Sequence, residues 1–251
     1  MFPVIQVGPL AIQSSWLILL VSFYLTTVII EKAAKTENME EGKVDNVILF
    51  STAAGLLGAR FGFVLQHLDL FADNWGSIFS INGSMLDLPS GLLFAIITGA
   101  VLLQKYNIPL LNFLDTVSWG ACLFFTGVLL SAFASGNYPG TATDLPWGME
   151  FAGAVRHPVQ IYEVALIVGL LAVLWFLKRK GVVVLPTGGL FFTAAAIVSG
   201  VMLLLNIFLE SGDLIIGVRS SQLATWGILT LALVLLEWRF RIGNKNGLNG
   251  G

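Results

Sequence analysis

The stretch AVRHPVQIYEVALIVGLLAVLWFL, residues 154–177, combines a dense group of polar side chains with a long apolar run. Residues 158–177 match the roughly 20 predominantly apolar residues that a helix needs to cross a bilayer. Pro158 suits the first turn of that helix, where its missing N–H costs nothing. The stretch therefore predicts a membrane-spanning helix whose polar end lies at the membrane edge.

The composition of the whole chain extends this prediction. Hydrophobic residues make up 56% of the chain and charged residues 11%, whereas a soluble domain has about a quarter charged residues. The apolar runs are too long for the strands of a membrane barrel, so we expect helices. The net charge is -2 with no basic block, so we expect no nucleic acid partner. Cys122 is the single cysteine, and we expect it to be a small core residue.

Six further apolar runs predict an all-α integral membrane protein with seven transmembrane helices. The expected spans are 10–30, 46–66, 90–104, 112–134, 158–177, 187–209 and 218–237. The third run is short, which leaves open whether it is tilted, broken or completed by a re-entrant piece. Residues 1–240 are predicted to form a single seven-helix transmembrane domain, and residues 241–251 a flexible C-terminal tail.

The basic residues predict the orientation of these spans. Ten of the 13 lysines and arginines fall in loops or the tail on one side. Because cytoplasmic loops carry the excess of basic residues, we expect the N-terminus outside and the C-terminus in the cytoplasm. Any site that faces outward would be built from the outer loops 67–89 and 135–157.

Polar side chains at the start of the fifth span form one stripe. On a helix, Arg156, Gln160 and Glu163 are spaced i, i+4 and i+7, and Tyr162 lies beside them. Arg60 lies in the segment GARFG of the second span. A charged side chain within the membrane costs free energy unless it forms an ion pair or is hydrated. Glu163 is the candidate partner of Arg60. Two readings stay open, namely a buried structural ion pair and a binding site for a lipid head group.

His157 is the one candidate for acid–base catalysis. An unperturbed histidine titrates near neutrality, so its ring could act as a general base. A single histidine at the N-terminus of a helix more often only forms hydrogen bonds at the helix end. The sequence has no nucleophile motif and no cluster with metal-ligand spacing, so no cofactor or metal site is predicted.

Three segments resemble the prolipoprotein diacylglyceryl transferase family. They are PVIQVGPLAIQSSWLILLVSF at 3–23, GARFGFVL at 58–65 and RHPVQIYE at 156–163. Members of that family move a diacylglyceryl group from phosphatidylglycerol to the lipobox cysteine of a prolipoprotein. The resemblance implies a seven-span, multi-pass protein of the bacterial plasma membrane, with a phosphatidylglycerol-like phospholipid as a partner.

Four elements of the family pattern are absent from this chain. The family's H-W-Y-G segment corresponds to Gln13–Trp16, which lacks the tyrosine. Leu88 or Pro89 stands where the family has a histidine, and Val128 stands where it has an arginine. The sixth span, IVSGVMLLLNIFLE at 197–210, has no arginine where the family carries a functional one.

The absence of these four elements favours a protein that does not catalyse the transfer reaction. The transfer needs a group that holds the anionic phosphate and one that helps to deprotonate the incoming thiol. The first hypothesis is a degenerate, non-catalytic homologue that binds lipid or serves as a structural subunit of a membrane complex with other membrane proteins. The second is an active transferase with a rearranged site, and the third a different lipid-linked reaction on the same scaffold. The expected polar site comprises Arg60, Arg156, His157, Gln160, Tyr162 and Glu163.

Overall fold

The computed structural model describes residues 4–7, 10–37, 39–71, 75–79, 85–151, 153–210, 214–215 and 218–248. Within these ranges the long helices are α1 (Ser14–Thr36), α2 (Glu41–Gln66), α3 (Leu88–Lys105), α4 (Leu110–Ser135), α5 (Val159–Arg179), α6 (Gly189–Leu205) and α7 (Ser220–Leu248). Three antiparallel hairpins pair β1 (Val4–Val7) with β2 (Leu10–Gln13), β3 (Met149–Phe151) with β4 (Ala154–Arg156), and β5 (Leu214–Ile215) with β6 (Val218–Arg219).

The predicted all-α membrane fold is confirmed. Among the described residues, seven helices are long and apolar enough to cross a membrane. The third span is one continuous helix of 18 residues, about 27 Å long at the helical rise per residue. That length is close to the thickness of the hydrocarbon core, so no re-entrant piece is needed to complete it. The orientation of the termini stays a prediction.

The largest differences from the expected span boundaries lie in the first two spans and at the end of the seventh, where α7 continues to Leu248. The first span was expected to begin at residue 10, but Leu10–Gln13 form β2, whose backbone groups pair with β1, and α1 begins at Ser14. The expected spans 10–30 and 46–66 leave a loop at 31–45, but this region is largely helical, because α1 continues to Thr36 and α2 already begins at Glu41. On α1, Lys35 and Glu31 form an i, i+4 ion pair of 3.0 Å that suits a helix surface.

The chain divides into two compact units. Unit 1 comprises Met1–Ile30 and Leu114–Gly251, and unit 2 comprises Glu31–Phe113. The unit boundaries fall inside α1 and α4. The single domain at 1–240 and the flexible tail at 241–251 stay predictions, although the backbone of α7 is helical as far as Leu248.

In unit 2, small residues allow α2 and α3 to pack closely. A β-carbon built on Gly55 would lie 3.1 Å from that of Ala95, and one built on Gly91 would lie 2.9 Å from that of Ala59. A side chain at Gly58 would overlap the ring of Phe94. Membrane helices lack a hydrophobic drive to associate, so such close backbone approach supplies much of their attraction.

In unit 1, hydroxyl groups and glycines join α4 to α1. The Thr26 hydroxyl donates a hydrogen bond of 3.0 Å to the carbonyl of Gly120. The Ser131 hydroxyl donates one of 3.1 Å to the carbonyl of Ser15. Gly127 lies directly against Ser22, with no room for a side chain. Hydrogen bonds between helices and small residues at the contact are the usual means of packing in lipid.

The apolar core of unit 1 lies among α4, α5 and α6. Its buried members are Cys122, Leu129, Val159, Ile167, Leu171, Leu174, Leu190, Ala194, Val201 and Leu205. The prediction that Cys122 is a small core residue is thereby confirmed. This core fixes the start of α5, because Val159 in the first turn of that helix is fully buried.

Candidate functional site

The polar stretch around residue 156 lies where strand β4 leads into α5. Extended backbone at 141–143 runs beside β4, where the N–H of Thr143 donates to the carbonyl of Val155 at 2.9 Å. The N–H of His157 donates to the carbonyl of Thr141 at 3.1 Å. On the other side of this segment, the N–H of Thr141 donates to the carbonyl of Phe208 at 2.7 Å. A small sheet-like cap thus covers the first turn of α5, and Pro158 precedes that turn as its N-cap.

Arg156 holds three parts of this cap together. Its Nη1 donates to the carbonyl of Gly140 at 3.1 Å and forms an ion pair with the carboxylate of Glu210. The Arg156 side chain is 17% exposed. Its Nε is buried without a hydrogen-bond partner among the described residues. Arg156 therefore connects β4, the segment before it and the end of the sixth span.

His157 and Tyr162 form an aromatic group with Trp147. The Trp147 Nε1 donates a hydrogen bond of 2.9 Å to the Tyr162 hydroxyl. That hydroxyl lies 3.4 Å from Nδ1 of His157, a weak contact whose direction depends on the histidine tautomer. The His157 ring also packs on Phe208, with 5.0 Å between the ring centroids. The nearest polar partner of the imidazole is thus a phenol, which orients the ring weakly.

Gln160 stabilises the loop that follows α4. Its Nε2 donates to two successive backbone carbonyls, those of Asn137 at 2.8 Å and Tyr138 at 2.9 Å. Tyr138 has a φ of 58°, a left-handed conformation that is uncommon for a bulky residue. Both donors of the amide are therefore used to hold a strained turn.

The cavity beside these side chains is small. Arg156, His157, Gln160 and Tyr138 are among the residues that line it, and its volume is about 20 Å³. That space suits roughly one water molecule. A phosphoglycerol head group does not fit in it without movement of the cap.

Glu163 is buried one turn further along α5, with 5% of its surface exposed. Among the described residues of unit 1, none forms a hydrogen bond or ion pair with its carboxylate. The expected Glu163–Arg60 pair would join residues of two separately described units, and it stays a prediction.

Arg60 lies in unit 2 and binds the backbone there. Its Nε donates to the carbonyl of Ile78 at 2.8 Å, Nη1 to that of Met85 at 3.0 Å, and Nη2 to that of Ser77 at 2.7 Å. The guanidinium carbon also lies 5.4 Å from the centroid of the Phe71 ring. The structure thus places five of the six expected site residues on β4, on α5 and between these two elements of unit 1, and the sixth in unit 2. The expected helical stripe is wrong at Arg156, which lies on β4 because its backbone pairs with Met149.

The sequence prediction missed two residues of the site. Glu210 pairs with Arg156, and Trp147 donates to the Tyr162 hydroxyl. A carboxylate at the end of an apolar run was the available signal for Glu210. A tryptophan near the end of a span indicates only a place at the membrane interface. Among the residues that the structure describes, no group of three or more His, Cys, Asp or Glu could hold a metal ion.

A sequence model described as prolipoprotein diacylglyceryl transferase matches residues 3–238. The chain belongs to this family. The seven helices that can cross a membrane agree with membership of the prolipoprotein diacylglyceryl transferase family. The chain is a multi-pass protein of the bacterial inner membrane.

Several curated members of the prolipoprotein diacylglyceryl transferase family are similar over most of the chain. All three described here are named phosphatidylglycerol–prolipoprotein diacylglyceryl transferase. The Idiomarina loihiensis protein is 30% identical, with 97% of this chain and 92% of the relative covered. The Nitratidesulfovibrio vulgaris protein is 32% identical, with 81% of this chain and 79% of the relative covered. The Finegoldia magna protein is 29% identical, with 85% of each chain covered.

Two of the positions that the sequence analysis expects to depart from the family pattern lie within helices. Leu88 is the first residue of α3, followed by Pro89, and it is exposed. Val128 lies within α4 and is partly exposed. Neither side chain can donate or accept a proton or bind a phosphate.

Proposed function

We propose that this protein is a non-catalytic member of the prolipoprotein diacylglyceryl transferase family that binds membrane phospholipid, of the phosphatidylglycerol type, as a subunit of a membrane complex. The observation that carries this proposal is the hydrogen bonding of Arg60. All three guanidinium nitrogens donate to backbone carbonyls of its own unit. A phosphate that used this arginine would have to displace those carbonyls, each of which would then lose a partner.

The second remaining arginine is also occupied. Nη1 of Arg156 binds the Glu210 carboxylate and the Gly140 carbonyl. A carboxylate next to this guanidinium neutralises the charge that would attract an anionic head group. The water-sized cavity beside it gives such a group no room. Both arginines are thus better suited to holding loops than to holding a phosphate through a reaction.

Proton transfer has no strong candidate either. His157 packs on aromatic rings, and its nearest polar contact is the Tyr162 hydroxyl at 3.4 Å. A histidine that acts as a general base is most effective when a neighbouring group orients its ring, as a carboxylate does in catalytic triads. The expected histidine position carries Leu88 or Pro89. These observations support a protein that has kept the scaffold of the family and lost its chemistry.

An active transferase is the alternative, and one observation favours it. A relative named as a transferase, the Idiomarina loihiensis protein, matches 97% of this chain. The segment RHPVQIYE is kept at 156–163. In this alternative His157 would be the base, and Arg156 would exchange its present partners for the lipid phosphate.

A complementation experiment separates the two. The full chain is expressed in bacteria depleted of their own transferase, with a reporter prolipoprotein whose mass is followed. The matched control is the Idiomarina loihiensis relative, expressed at the same level. We expect the mass of the reporter to increase by that of a diacylglyceryl group only in the cells that express the relative. The same increase with this chain, abolished by His157→Gln, would establish the active alternative.

The subunit part of the proposal has its own measurement. The chain is purified in mild detergent with an affinity tag, and its mass is compared with that of the isolated polypeptide. We expect co-purification of another membrane protein at a fixed ratio. A preparation that contains the chain alone, as a monomer, would contradict a structural subunit.

A further inference from the structure

Three large apolar side chains are exposed in the cap over the start of α5, outside the seven spans. Leu145 is 40% exposed, Trp147 58% and Val155 45%. They lie between the end of α4 at Ser135 and the start of α5 at Val159. The hydrocarbon core, which covers the exposed apolar side chains of the spans, therefore does not account for these three.

The exposed side chains belong to one continuous surface. The N–H of Gly148 donates to the carbonyl of Leu145 at 2.9 Å and closes a turn. A β-carbon built on Gly148 would lie 2.5 Å from Cγ1 of Val155, so Val155 packs against this turn. Glu150 stands directly opposite Val155 in the β3–β4 pair, and such pairs point to the same face of a sheet. We call the surface formed by Asp144, Leu145, Trp147, Glu150 and Val155 the hairpin patch.

Hydrogen bonds hold the hairpin patch in place. The N–H of Leu145 donates to Oγ1 of Thr143 at 3.2 Å. Nε1 of Trp147 donates to the Tyr162 hydroxyl at 2.9 Å, which ties the indole to the start of α5. A surface that is already ordered loses less conformational entropy when a partner binds. Tryptophan is also one of the residue types that contribute most to the binding energy of protein interfaces.

The charges of the hairpin patch are negative. Asp144 and Glu150 are both exposed, and neither forms an ion pair with another described residue. Arg156, on the neighbouring strand, is paired with Glu210 and adds no free positive charge. Two carboxylates thus border an ordered apolar surface.

This combination of charge and apolar surface distinguishes between three candidate occupants. A bilayer surface that contains phosphatidylglycerol is anionic, so it repels the two carboxylates. A second copy of this chain would bring the same two carboxylates against them, because a symmetric dimer contact pairs a patch with itself. A protein segment that carries lysine or arginine beside apolar side chains matches both the charge and the apolar surface.

We infer that the hairpin patch is the docking surface for a cationic segment, with apolar side chains, of another subunit of the membrane complex. The inference deepens the subunit part of the proposed function and rests on it. It is independent of lipid binding and of whether the protein is catalytic.

Site-specific photo-crosslinking tests the position of the contact. A photoreactive phenylalanine analogue replaces Leu145 in the full chain, which is expressed in cells of its own bacterium. The matched control carries the same analogue at Val182, which is 68% exposed in the loop after α5. We expect a crosslinked protein of one defined mass from position 145, at a yield at least fivefold higher than from position 182. The crosslinked peptide of that protein should contain lysine or arginine.

Charge reversal tests the chemistry of the contact. Asp144→Lys and Glu150→Lys are combined in the chain that carries the analogue at position 145. We expect the crosslinking yield to fall at least fivefold, and to fall less with Asp144→Asn and Glu150→Gln, which remove the charge without reversing it. Because both side chains are exposed, the melting temperature in detergent should stay unchanged and serves as the control for folding.

The outcomes separate this inference from the proposed function. A crosslink to lipid or to a second copy of the chain would overturn the inference, as would a yield that charge reversal does not lower. In each of these cases co-purification of another membrane protein would still support the subunit proposal. Absence of both a crosslinked protein and a co-purifying one would contradict the two together.

Discussion

Oδ2 of Asp115 accepts a hydrogen bond of 2.6 Å from the backbone N–H of Gly188, and its Oδ1 accepts one of 3.1 Å from Phe191. A side chain of α4 thus caps the N-terminus of α6, where unpaired N–H groups and the helix dipole favour a negative charge. Gly188 itself has a φ of 83°, which a residue with a side chain rarely adopts.

Replacing this cap should loosen α6. For Asp115→Ala we expect a loss of about 2 kcal/mol, because two half-buried N–H groups lose a charged acceptor. Asp115→Asn keeps one acceptor oxygen and should lose less. Thermal unfolding in detergent measures both variants. Equal melting temperatures for the original chain and Asp115→Ala would show that the cap does not stabilise the fold.

Arg60 should be required for the stability of unit 2. Its three nitrogens reach three carbonyls that a single ammonium cannot reach together, so Arg60→Lys should be nearly as harmful as Arg60→Ala. We expect each to lower stability by about 3 kcal/mol, as charged hydrogen bonds are lost and their acceptors are left unpaired. The measurement is the melting temperature and the yield of folded protein. Full stability of Arg60→Lys would mean that charge alone matters, as in a simple ion pair.

Gln160 should hold the loop after α4 closed. Gln160→Glu has the same shape but removes both donors and places a carboxylate against the carbonyls of Asn137 and Tyr138. We expect a loss of about 2 kcal/mol and faster proteolytic cleavage at 136–148. Gln160→Ala, which removes the donors without adding repulsion, should be milder. An unchanged cleavage rate in Gln160→Glu would contradict this role.

Gly127 should determine how closely α4 approaches α1. An added β-carbon would overlap the side chain of Ser22, so Gly127→Ala should destabilise the bundle by about 1–3 kcal/mol. The matched control is Gly169→Ala in α5, where nothing lies within 4 Å and alanine favours the helix. Melting temperatures of the two variants should move in opposite directions. A parallel shift would refute the close contact.

Asp87 should make the stability of α3 depend on pH. Hydrogen bonds from Ser90 hold the pKa of the Asp87 carboxyl below its ordinary value. Folding therefore favours the charged form, so this stabilisation is present above about pH 4 and is lost as pH falls through the lowered pKa. Asp87→Asn keeps an N-cap acceptor but does not titrate. Acid should lower the melting temperature of the original chain more than that of Asp87→Asn, and equal decreases would exclude this contribution.

Part of the candidate site could be predicted from the sequence and part could not. Helical spacing correctly predicted that Gln160 and Glu163 lie on one helix, α5. Arg156 was expected on the same helical stripe, but this is wrong, because its backbone pairs with Met149 and it lies on strand β4. The partner of Arg156 could not be predicted, since Glu210 lies 54 residues further along the sequence. The strand at Leu10–Gln13 was also missed, because an apolar run of four residues fits a strand as well as a helix.

The amino-acid sequence by itself determined the seven helices, the membrane location and the family. It can do so because the bilayer requires about 20 apolar residues per crossing, whatever the helices contact. The tertiary structure alone decided what each polar group binds. Arg60 is held by the carbonyls of Ser77, Ile78 and Met85, and Arg156 and His157 bind the cap over the start of α5. A hydrogen-bond partner depends on how distant segments meet, and no local pattern in the sequence encodes that meeting.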